Sequence, residues 1–220
     1  TGAQNDLSSL RKVICGGSAL PRTLVKGFLE KHGILLTHGY GMTETSPVVS
    51  LSQLKSYMED WPAEKKYDVL AKQGTLLPGL EMKIVDDEGE EVKRDGTEAG
   101  EILLRGPWIA GEYYDEPEKS AWTMRDGWLH TGDIASIDDE GYIQIVDRTK
   151  DLIKSGGEWI SSVDLENTIM AHPAVVEASV IAVPDQKWDE RPLALVVPKK
   201  EASVSEADII DFLRDKVAKW

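Results

Sequence analysis

The sequence predicts an α/β fold followed by a smaller α+β domain, and three patterns along its 220 residues carry this prediction. Near the N-terminus, apolar strand-like runs alternate with a helical segment, the order that builds a parallel sheet. In the middle, short strand-like segments are separated by acidic turns with glycine, which are hairpin signals. After residue 147, helices and strands are mixed. We therefore expect two domains, residues 1–147 and residues 148–220.

A βαβ unit is expected at the start of the chain. Residues 11–15 form an apolar strand-like run, a helix begins near Pro21, and a second strand covers residues 34–37. Proline suits the start of a helix because its missing N–H is not needed there. Residues 51–72 then place apolar side chains at helical spacing around Pro62, which predicts a helix, a break and a second helix.

The middle and last parts of the chain differ in their order of elements. Four segments between residues 74 and 148 predict an antiparallel sheet or small β-barrel-like subdomain, namely residues 80–85, 100–105, 134–137 and 142–146. The last part predicts a strand-like run, a helix, two strands and a final helix, at residues 152–160, 163–172, 174–183, 191–198 and from Glu206. This mixture is typical of a compact α+β domain.

Composition excludes several classes of protein. With 39 acidic and 25 basic residues the net charge is −14, which argues against nucleic acid or an anionic membrane surface as the main partner. Cys15 is the only cysteine, so the expected location is the reducing cytoplasm. No apolar run approaches transmembrane length. Because the chain lacks an initial Met and enters a strand-like run almost at once, we expect a fragment of a longer protein.

The stretch HGYGMTETSP at residues 38–47 follows an apolar strand-like run, where the sheets of α/β proteins bind ligands. A dinucleotide fingerprint fails because Glu44 stands where its third glycine belongs, and the Gly-Lys-Ser/Thr ending of a P-loop is absent. A different nucleotide site would use Gly39 and Gly41 for close approach, and Glu44 as an oxygen ligand for Mg²⁺. The alternative is a plain turn in which Thr43 caps a short helix.

Two further stretches end in glycine turns. CGGSALP at residues 15–21 suggests a serine nucleophile at Ser18, but a nucleophile elbow needs glycine where Leu20 stands. The remaining interpretations are a backbone surface against a flat ligand and a plain tight turn. WLHTGD at residues 128–133 places Asp133 just before a predicted strand, where a carboxylate can accept two hydrogen bonds from a sugar diol. A turn-capping aspartate is the alternative.

A local basic cluster stands out in an otherwise acidic chain. DRTKDLIKSGGEW at residues 147–159 contains Arg148, Lys150 and Lys154, followed by two glycines. Basic groups beside a flexible hinge suit a polyanionic ligand. The alternative is a solvated linker whose charges are balanced by neighbouring acids.

Taken in order, five motifs resemble the core motifs of the adenylate-forming superfamily, which includes acyl-CoA synthetases, luciferases and peptide-synthetase adenylation domains. The motifs are GGSALP, HGYGMTETSP, GEILLRGP, WLHTGD and DRTKDLIKSGGEWISSVDLE. The C-terminal sequence is most similar to medium- and long-chain fatty acyl-CoA synthetases. The resemblance implies the end of a large AMP-binding domain over residues 1–147, then a hinge and a small mobile domain over residues 148–220, both incomplete.

The resemblance also implies roles for individual residues in the first domain. Gly39, Tyr40 and Gly41 would lie along adenine, with Gly17 and His38 nearby. Thr43 matches a phosphate contact and Glu44 matches the Mg²⁺ ligand. Asp133 matches the carboxylate that holds the ribose hydroxyls.

Four residues near the hinge complete the implied site. Arg148 is the usual companion of Asp133, and Lys150 falls at the hinge position. Lys154 and Trp159 fall in the stretch that meets the ligand when the small domain rotates. The expected catalytic residues are therefore Thr43, Glu44 and Lys154.

The implied reaction uses ATP, Mg²⁺, a fatty acid and coenzyme A. A carboxylate attacks the α-phosphate of ATP to give acyl-AMP and pyrophosphate, and the thiol of CoA then displaces AMP. The phosphate loop and the lysine of the adenylation step have no counterpart here, so we expect these 220 residues alone not to complete adenylation. Two alternatives remain open, a non-catalytic nucleotide-binding module and an adenylation domain that loads a carrier protein. A homodimer is considered for the full-length protein.

Overall fold

The computed structural model describes residues 6–156, 158–200 and 202–217. The chain divides into two compact units, Thr1–Ile145 and Val146–Trp220. The sequence had placed this division between residues 147 and 148. Each unit has its own sheets and its own apolar core. Among the described residues, no helix is long and apolar enough to cross a membrane.

The first sheet of unit 1 begins with the predicted βαβ arrangement. Strand β1 (Lys12–Cys15) pairs in parallel with β2 (Leu35–Tyr40), and helix α1 (Arg22–His32) connects them. Helix α1 ends at Gly33, whose φ of +66° is the left-handed conformation that glycine adopts without strain. Two short antiparallel strands, β3 (Ser50–Leu51) and β4 (Thr75–Leu76), complete the sheet in the order β1-β2-β3-β4.

Two helices were predicted over residues 51–72, and the prediction of the first one is wrong. The segment contains only a 3₁₀ turn (Ser56–Met58), and helix α2 (Ala63–Ala71) begins after Pro62. Long-range contacts hold this turn in place, because Tyr57 and Lys55 both donate hydrogen bonds to Glu140. Met58, the last residue of the turn, is fully buried. Tertiary contacts therefore fix the segment where helical spacing alone predicted a longer helix.

The second sheet of unit 1 is antiparallel, as predicted. Its strands are β5 (Glu81–Val85), β6 (Ala99–Arg105), β7 (Met124–Arg125), β8 (Trp128–Ile137) and β9 (Ile143–Arg148). The order is β5-β6-β8-β7, and β9 pairs with β8. Helix α3 (Pro117–Thr123) was not predicted from the sequence, since none of its residues is buried and it therefore has no apolar face.

The first sheet and the second sheet of unit 1 share one core. It includes Tyr40 of β2 together with apolar side chains of β5, β6, β8 and β9. Strand β2 extends three residues beyond its predicted end at residue 37, and five of its six residues are buried. The glycine-containing motif after Leu36 thus begins inside a central strand rather than in a loop.

Unit 2 has the α+β composition that the sequence predicts. Its elements are β10 (Ile153–Ser155), β11 (Glu158–Ile160), α4 (Ser162–Met170), β12 (Val175–Asp185), β13 (Asp189–Pro198) and α5 (Glu206–Leu213). The sheet order is β11-β10-β13-β12. Ile153, Ile169, Val180 and Ile209 belong to the core that the sheet forms with both helices. Ser161 and Ser205 accept hydrogen bonds from the first turns of α4 and α5 and cap these helices.

Candidate functional site

The centre of the candidate site is a hydrogen bond between two residues that the sequence analysis selected separately. The hydroxyl of Tyr40, at the end of β2, donates to Oδ2 of Asp133 on β8 over 2.6 Å. Tyr40 is 8% exposed and Asp133 is 5% exposed. A buried carboxylate needs hydrogen-bond donors, and the tyrosine supplies one. The contact joins the two sheets of unit 1 at this point.

The sequence predicted that Asp133 lies just before a strand, and this is wrong. Asp133 lies within β8. The pairing of β8 with β6 shifts between Leu103, which is opposite His130, and Glu101, which is opposite Ile134. Residues 131–133 therefore stand opposite Ile102 alone and form a bulge. A bulge changes the direction of the side chains that follow it, and here it carries Asp133 to Tyr40.

The two glycine motifs at the end of the parallel strands lie side by side. A Cβ atom on Gly16 would lie 2.9 Å from the carbonyl oxygen of Gly39, which leaves no room for a side chain there. Gly17, the next residue, has a φ of +88° and would meet nothing within 4 Å. The chain thus turns sharply after β1 beside the backbone of β2, and its first glycine is required by packing within the protein.

The ring of His38 connects the turn after β1 to the end of α2. Its Nε2 lies 3.1 Å from the carbonyl oxygen of Ser18, and its Nδ1 lies 2.9 Å from that of Ala71. The side chain is only 2% exposed. His38 therefore supports the CGGS turn from inside the protein.

Gly41 is required by close packing of the chain on itself. A Cβ atom at this position would lie 1.7 Å from the carbonyl oxygen of Pro47, too close for any side chain. The loop between them contains the 3₁₀ turn Thr43–Thr45. Thr45, rather than Thr43, holds this turn, because its hydroxyl donates to Pro47 O and accepts from Met42 N. The alternative in which Thr43 caps a short helix is therefore not what the structure has.

Thr43 and Glu44 lie on the outer side of this turn. Thr43 is exposed and Glu44 is half-buried. The hydroxyl of Tyr113 donates to Glu44 Oε1 over 2.6 Å, and the amide of Ala110 donates to the Glu44 carbonyl oxygen over 2.8 Å. Burial, and then the hydrogen bond to Glu44, raise the pKa of Tyr113 to about 12, so the phenol remains a donor at neutral pH.

The donor set at Glu44 fits a magnesium ion. Magnesium is commonly held by one or two carboxylates together with substrate phosphates and water, and it does not require a dedicated cage of protein ligands. Among residues 6–156, 158–200 and 202–217, no group of three or more His, Cys, Asp or Glu side chains could hold a metal ion. Glu44, fixed by Tyr113 and Ala110, is a single carboxylate of the kind that suffices for such a site.

Sequence reasoning missed Tyr113. It is 69 positions from Glu44, and no local spacing connects the two residues. Tyr113 is itself held in place, since its amide donates to Ser120 Oγ over 2.8 Å and Lys119 Nζ lies 4.3 Å from its ring centroid. The sequence feature that could have indicated Tyr113 is the aromatic pair that it forms with Tyr114, shortly before helix α3, which begins with a proline.

The other predicted site residues belong to unit 2. Arg148 is the last residue of β9 and Lys150 lies in the tight turn that follows, and both are exposed. The amides of residues 151 and 152 both donate to the Arg148 carbonyl oxygen. Lys154 of β10 stands opposite Trp159 of β11, and its Nζ lies 5.1 Å from the indole ring centroid. The Trp159 side chain is 53% exposed. A lysine beside an exposed aromatic ring is suited to an anionic ligand with a flat group.

Asp147 anchors the start of this segment within unit 2. Its Oδ2 accepts hydrogen bonds from the amide of Ser162 over 2.6 Å and from its hydroxyl over 2.8 Å. The negative carboxylate therefore lies at the N-terminus of α4, where the helix dipole favours it. This local anchoring explains why the unit boundary falls before Asp147 rather than after it.

A comparison with protein families matches residues 1–114 to the family described as AMP-binding enzyme, which is 114 of the 220 residues. The chain belongs to the AMP-binding enzyme family. The C-terminal domain of AMP-binding enzymes matches residues 164–220. The predicted resemblance to adenylate-forming enzymes is thereby confirmed.

The chain is similar to known acid–CoA ligases along nearly its whole length. It is 50% identical to a long-chain-fatty-acid–CoA ligase of Thermus thermophilus, covering 97% of this chain and 40% of that protein. It is 41% identical to a medium-chain-fatty-acid–CoA ligase of Ectopseudomonas oleovorans, covering 96% and 38%. The predicted similarity to medium- and long-chain enzymes is confirmed. The chain thus spans about 40% of the length of the relatives it matches.

A solved structure in the same family agrees with the fold. The o-succinylbenzoate CoA synthetase of Bacillus subtilis, in complex with its acyl-adenylate intermediate, superposes with a TM-score of 0.83 at 33% identity. The superposition covers 96% of this chain and 40% of that one. The predicted α/β plus α+β class of this AMP-binding enzyme is confirmed.

Proposed function

We propose that this AMP-binding enzyme chain forms the adenylate site of an ATP-dependent acid–CoA ligase whose acid substrate is a fatty acid. One observation carries the proposal: the buried pair of Tyr40 and Asp133, in a chain 50% identical to a long-chain-fatty-acid–CoA ligase. An ionised carboxylate has acceptor sites on both oxygens. Asp133 can therefore accept the Tyr40 hydroxyl and also bind the two hydroxyls of a ribose.

The residues of unit 1 suit the parts of a nucleotide. We assign adenine to the exposed Gly17 turn and to the neighbouring backbone at Gly39 to Gly41, because Gly16 packs directly against Gly39 and so places the two motifs side by side. The exposed hydroxyl of Thr43 is assigned to a phosphate. His38 acts indirectly, by holding the Gly17 turn at Ser18.

Glu44 is assigned to Mg²⁺, which when bound would neutralise charge on the phosphates of ATP. Glu44 and Thr43 lie next to each other on one short turn, so a cation and a phosphate could be held by neighbouring residues. Tyr113 and the Ala110 amide fix Glu44 from the protein side. The turn is thereby positioned without help from a ligand.

The proposed reaction has two steps. The fatty acid carboxylate attacks the α-phosphorus of ATP, the bond to the pyrophosphate leaving group breaks, and acyl-AMP forms. The sulfur of CoA then attacks the acyl carbon, the bond to the AMP oxygen breaks, and the thiol proton is released. Preorganised donors and positive charge stabilise the phosphate oxygens in the first step. Coenzyme A, ATP and the fatty acid are therefore the proposed partners.

The basic and aromatic groups of unit 2 are included in this proposal. Arg148 and Lys154 would offer charge-assisted hydrogen bonds to phosphate or carboxylate oxygens. Lys150 is proposed as the pivot between the two steps, because it lies in a short exposed turn. Trp159 offers an exposed ring for a flat group. Each can be tested by a single substitution without assuming its position relative to unit 1.

The test is an assay of the whole protein that contains this chain. Pyrophosphate release should depend on ATP, Mg²⁺ and a fatty acid, and acyl-CoA should form only when CoA is added. Asp133→Ala and Glu44→Gln should each lower kcat/KM by about 10- to 1000-fold, the range for loss of one preorganised charged contact. A panel of short, medium, long and aromatic acids would assign the acid substrate. Absence of acid-dependent pyrophosphate release would contradict the proposal.

The same assay distinguishes the two alternatives. A non-catalytic module would bind AMP but release no pyrophosphate with any acid. An adenylation domain that loads a carrier protein would release pyrophosphate but would not transfer the acyl group to free CoA. Cytoplasmic location, which rests on the single cysteine, and a homodimer of the whole protein also remain proposals, to be tested by cell fractionation and analytical ultracentrifugation.

A further inference from the structure

The bulge in β8 interrupts the regular pairing of this strand with β6. Residues 131–133 stand opposite Ile102 alone, between the pairs Leu103–His130 and Glu101–Ile134. Gly132 has a φ of +70°, which directs the chain out of the extended conformation. Buried or half-buried amides must find other acceptors, or they lower stability. In this bulge, side chains supply the acceptors.

Two side chains hold the bulge. Glu101 Oε1 accepts a hydrogen bond from the Gly132 amide over 3.0 Å, and its Oε2 lies 2.9 Å from His130 Nδ1. The hydroxyl of Thr131 donates to Ile102 O over 2.8 Å and accepts from the Asp133 amide over 3.1 Å. Every one of these contacts lies within three residues of Asp133 on β8 or on the adjacent part of β6.

The geometry points to Glu101 as the positioning residue for Asp133. Glu101 spans the bulge, because one of its oxygens binds the residue before Asp133 and the other binds the histidine at the start of the bulge. It is half-buried. Its effect is to fix the backbone from which Asp133 projects toward Tyr40. This inference rests on the proposed function, in which Asp133 binds the ribose hydroxyls.

If Glu101 positions Asp133, its removal should affect recognition of the ribose in a way that a general loss of strand stability would not. If the bulge relaxes, the Asp133 carboxylate moves relative to the ribose while the rest of the nucleotide site stays intact. Ribose discrimination should therefore fall more than overall affinity for the adenine and phosphate groups. In Glu101→Gln, the side-chain carbonyl can still accept from the Gly132 amide, so this conservative variant should restore most of the discrimination that Glu101→Ala loses.

The experiment measures calorimetric affinities of this chain for AMP and for 2′-deoxy-AMP. The unsubstituted chain should prefer AMP by on the order of 10-fold or more, the effect of one hydrogen bond to a carboxylate. Glu101→Ala should reduce this ratio to about 2-fold or less, and Glu101→Gln should keep most of it. Glu81→Ala is the matched control, because it removes an exposed carboxylate of the adjacent strand β5. An unchanged ratio in Glu101→Ala would overturn the inference.

A second measurement keeps this inference separate from the proposed function. Hydrogen exchange of the Gly132 amide, followed by NMR without nucleotide, should be about 10-fold faster in Glu101→Ala and unchanged in Glu81→Ala, since only the first variant removes the side-chain acceptor of this amide. Equal exchange in all variants would overturn the inference. If the unsubstituted chain failed to prefer AMP, the ribose role of Asp133 would be contradicted, while the exchange rates would still decide whether Glu101 fixes the bulge.

Discussion

Replacing Tyr40 by phenylalanine removes one hydroxyl and leaves the packed ring in place. The ring belongs to the main core of unit 1, so its apolar burial is retained. The lost contact is the 2.6 Å hydrogen bond to the carboxylate of Asp133, which is 5% exposed. A hydrogen bond to a charged group contributes about 1.5–3 kcal/mol. At roughly 2–4 °C per kcal/mol for a unit of this size, the melting temperature should fall by roughly 3–12 °C.

Urea and thermal unfolding of Tyr40→Phe, Asp133→Asn and the double variant would measure this contact directly. The double-mutant cycle should give a coupling of at least about 1 kcal/mol, because the two residues share one hydrogen bond. Tyr114→Phe is the control, since Tyr114 is 98% exposed and its loss should leave stability unchanged. The reasoning is refuted if Tyr40→Phe is as stable as the control, or if the two substitutions are additive.

Three further predictions concern Gly41 in the turn after β2, Tyr113, which binds Glu44 of that turn, and a surface loop that contains Asp95. Gly41→Ala should lower the free energy of unfolding by about 1–3 kcal/mol, measured in urea, because its Cβ would lie 1.7 Å from a carbonyl oxygen. Tyr113→Phe should weaken the Mg²⁺-dependent part of ATP binding several-fold in calorimetry and leave AMP binding without Mg²⁺ unchanged, since it releases Glu44 Oε1. In the surface loop that contains Asp95, hydrogen bonds to the Asp95 carboxylate lower its pKa from 3.8 to about 2, and the bond from the Glu98 amide has the largest effect. A depressed acid pKa stabilises the folded state above pH 4, and this contribution should disappear between pH 4 and 2, so the stability difference between the unsubstituted chain and Asp95→Asn should shrink across that window.

Each of these predictions has a matched control and a result that would contradict it. Gly111→Ala, where a Cβ would meet nothing within 4 Å, should be neutral, and equal stability of both glycine variants would contradict the packing argument. Tyr114→Phe should retain the full Mg²⁺ response, and a full response in Tyr113→Phe would exclude its role at Glu44. A pH-independent difference between the unsubstituted chain and Asp95→Asn would contradict the hydrogen bonding assigned to that loop.

Local patterns in the sequence predicted most regular elements correctly. The strand β1, the helix α1 after Pro21 and the hairpin strands β5 and β6 follow from apolar periodicity and turn residues, which act over a few positions. Helix α3 could not be predicted in this way, since it has no buried face. The predicted helix around Met58 failed because contacts with Glu140, more than eighty positions away, decide the conformation there.

The candidate site depends on still longer-range contacts. Tyr40 and Asp133 are 93 positions apart, and sequence reasoning selected each for its own motif without a physical reason to pair them. The bulge that brings them together also escaped prediction, because the signal WLHTGD resembles a turn followed by a strand. Only the register of β6 against β8 reveals that the turn lies within one continuous strand. Motifs thus indicated the residues, and tertiary structure supplied their geometry.

The most direct test of the central proposal is calorimetric titration of this chain with a nonhydrolysable acyl-adenylate analogue and Mg²⁺, repeated with Asp133→Ala. Hydrogen bonds to a carboxylate contribute about 1.5–3 kcal/mol, so the substitution should weaken binding by roughly 10- to 150-fold. The account predicts saturable binding to the unsubstituted chain and binding weakened by that factor in the variant. Equal binding to both proteins, or no binding to either, would contradict the claim that Tyr40 and Asp133 form an adenylate site in this chain.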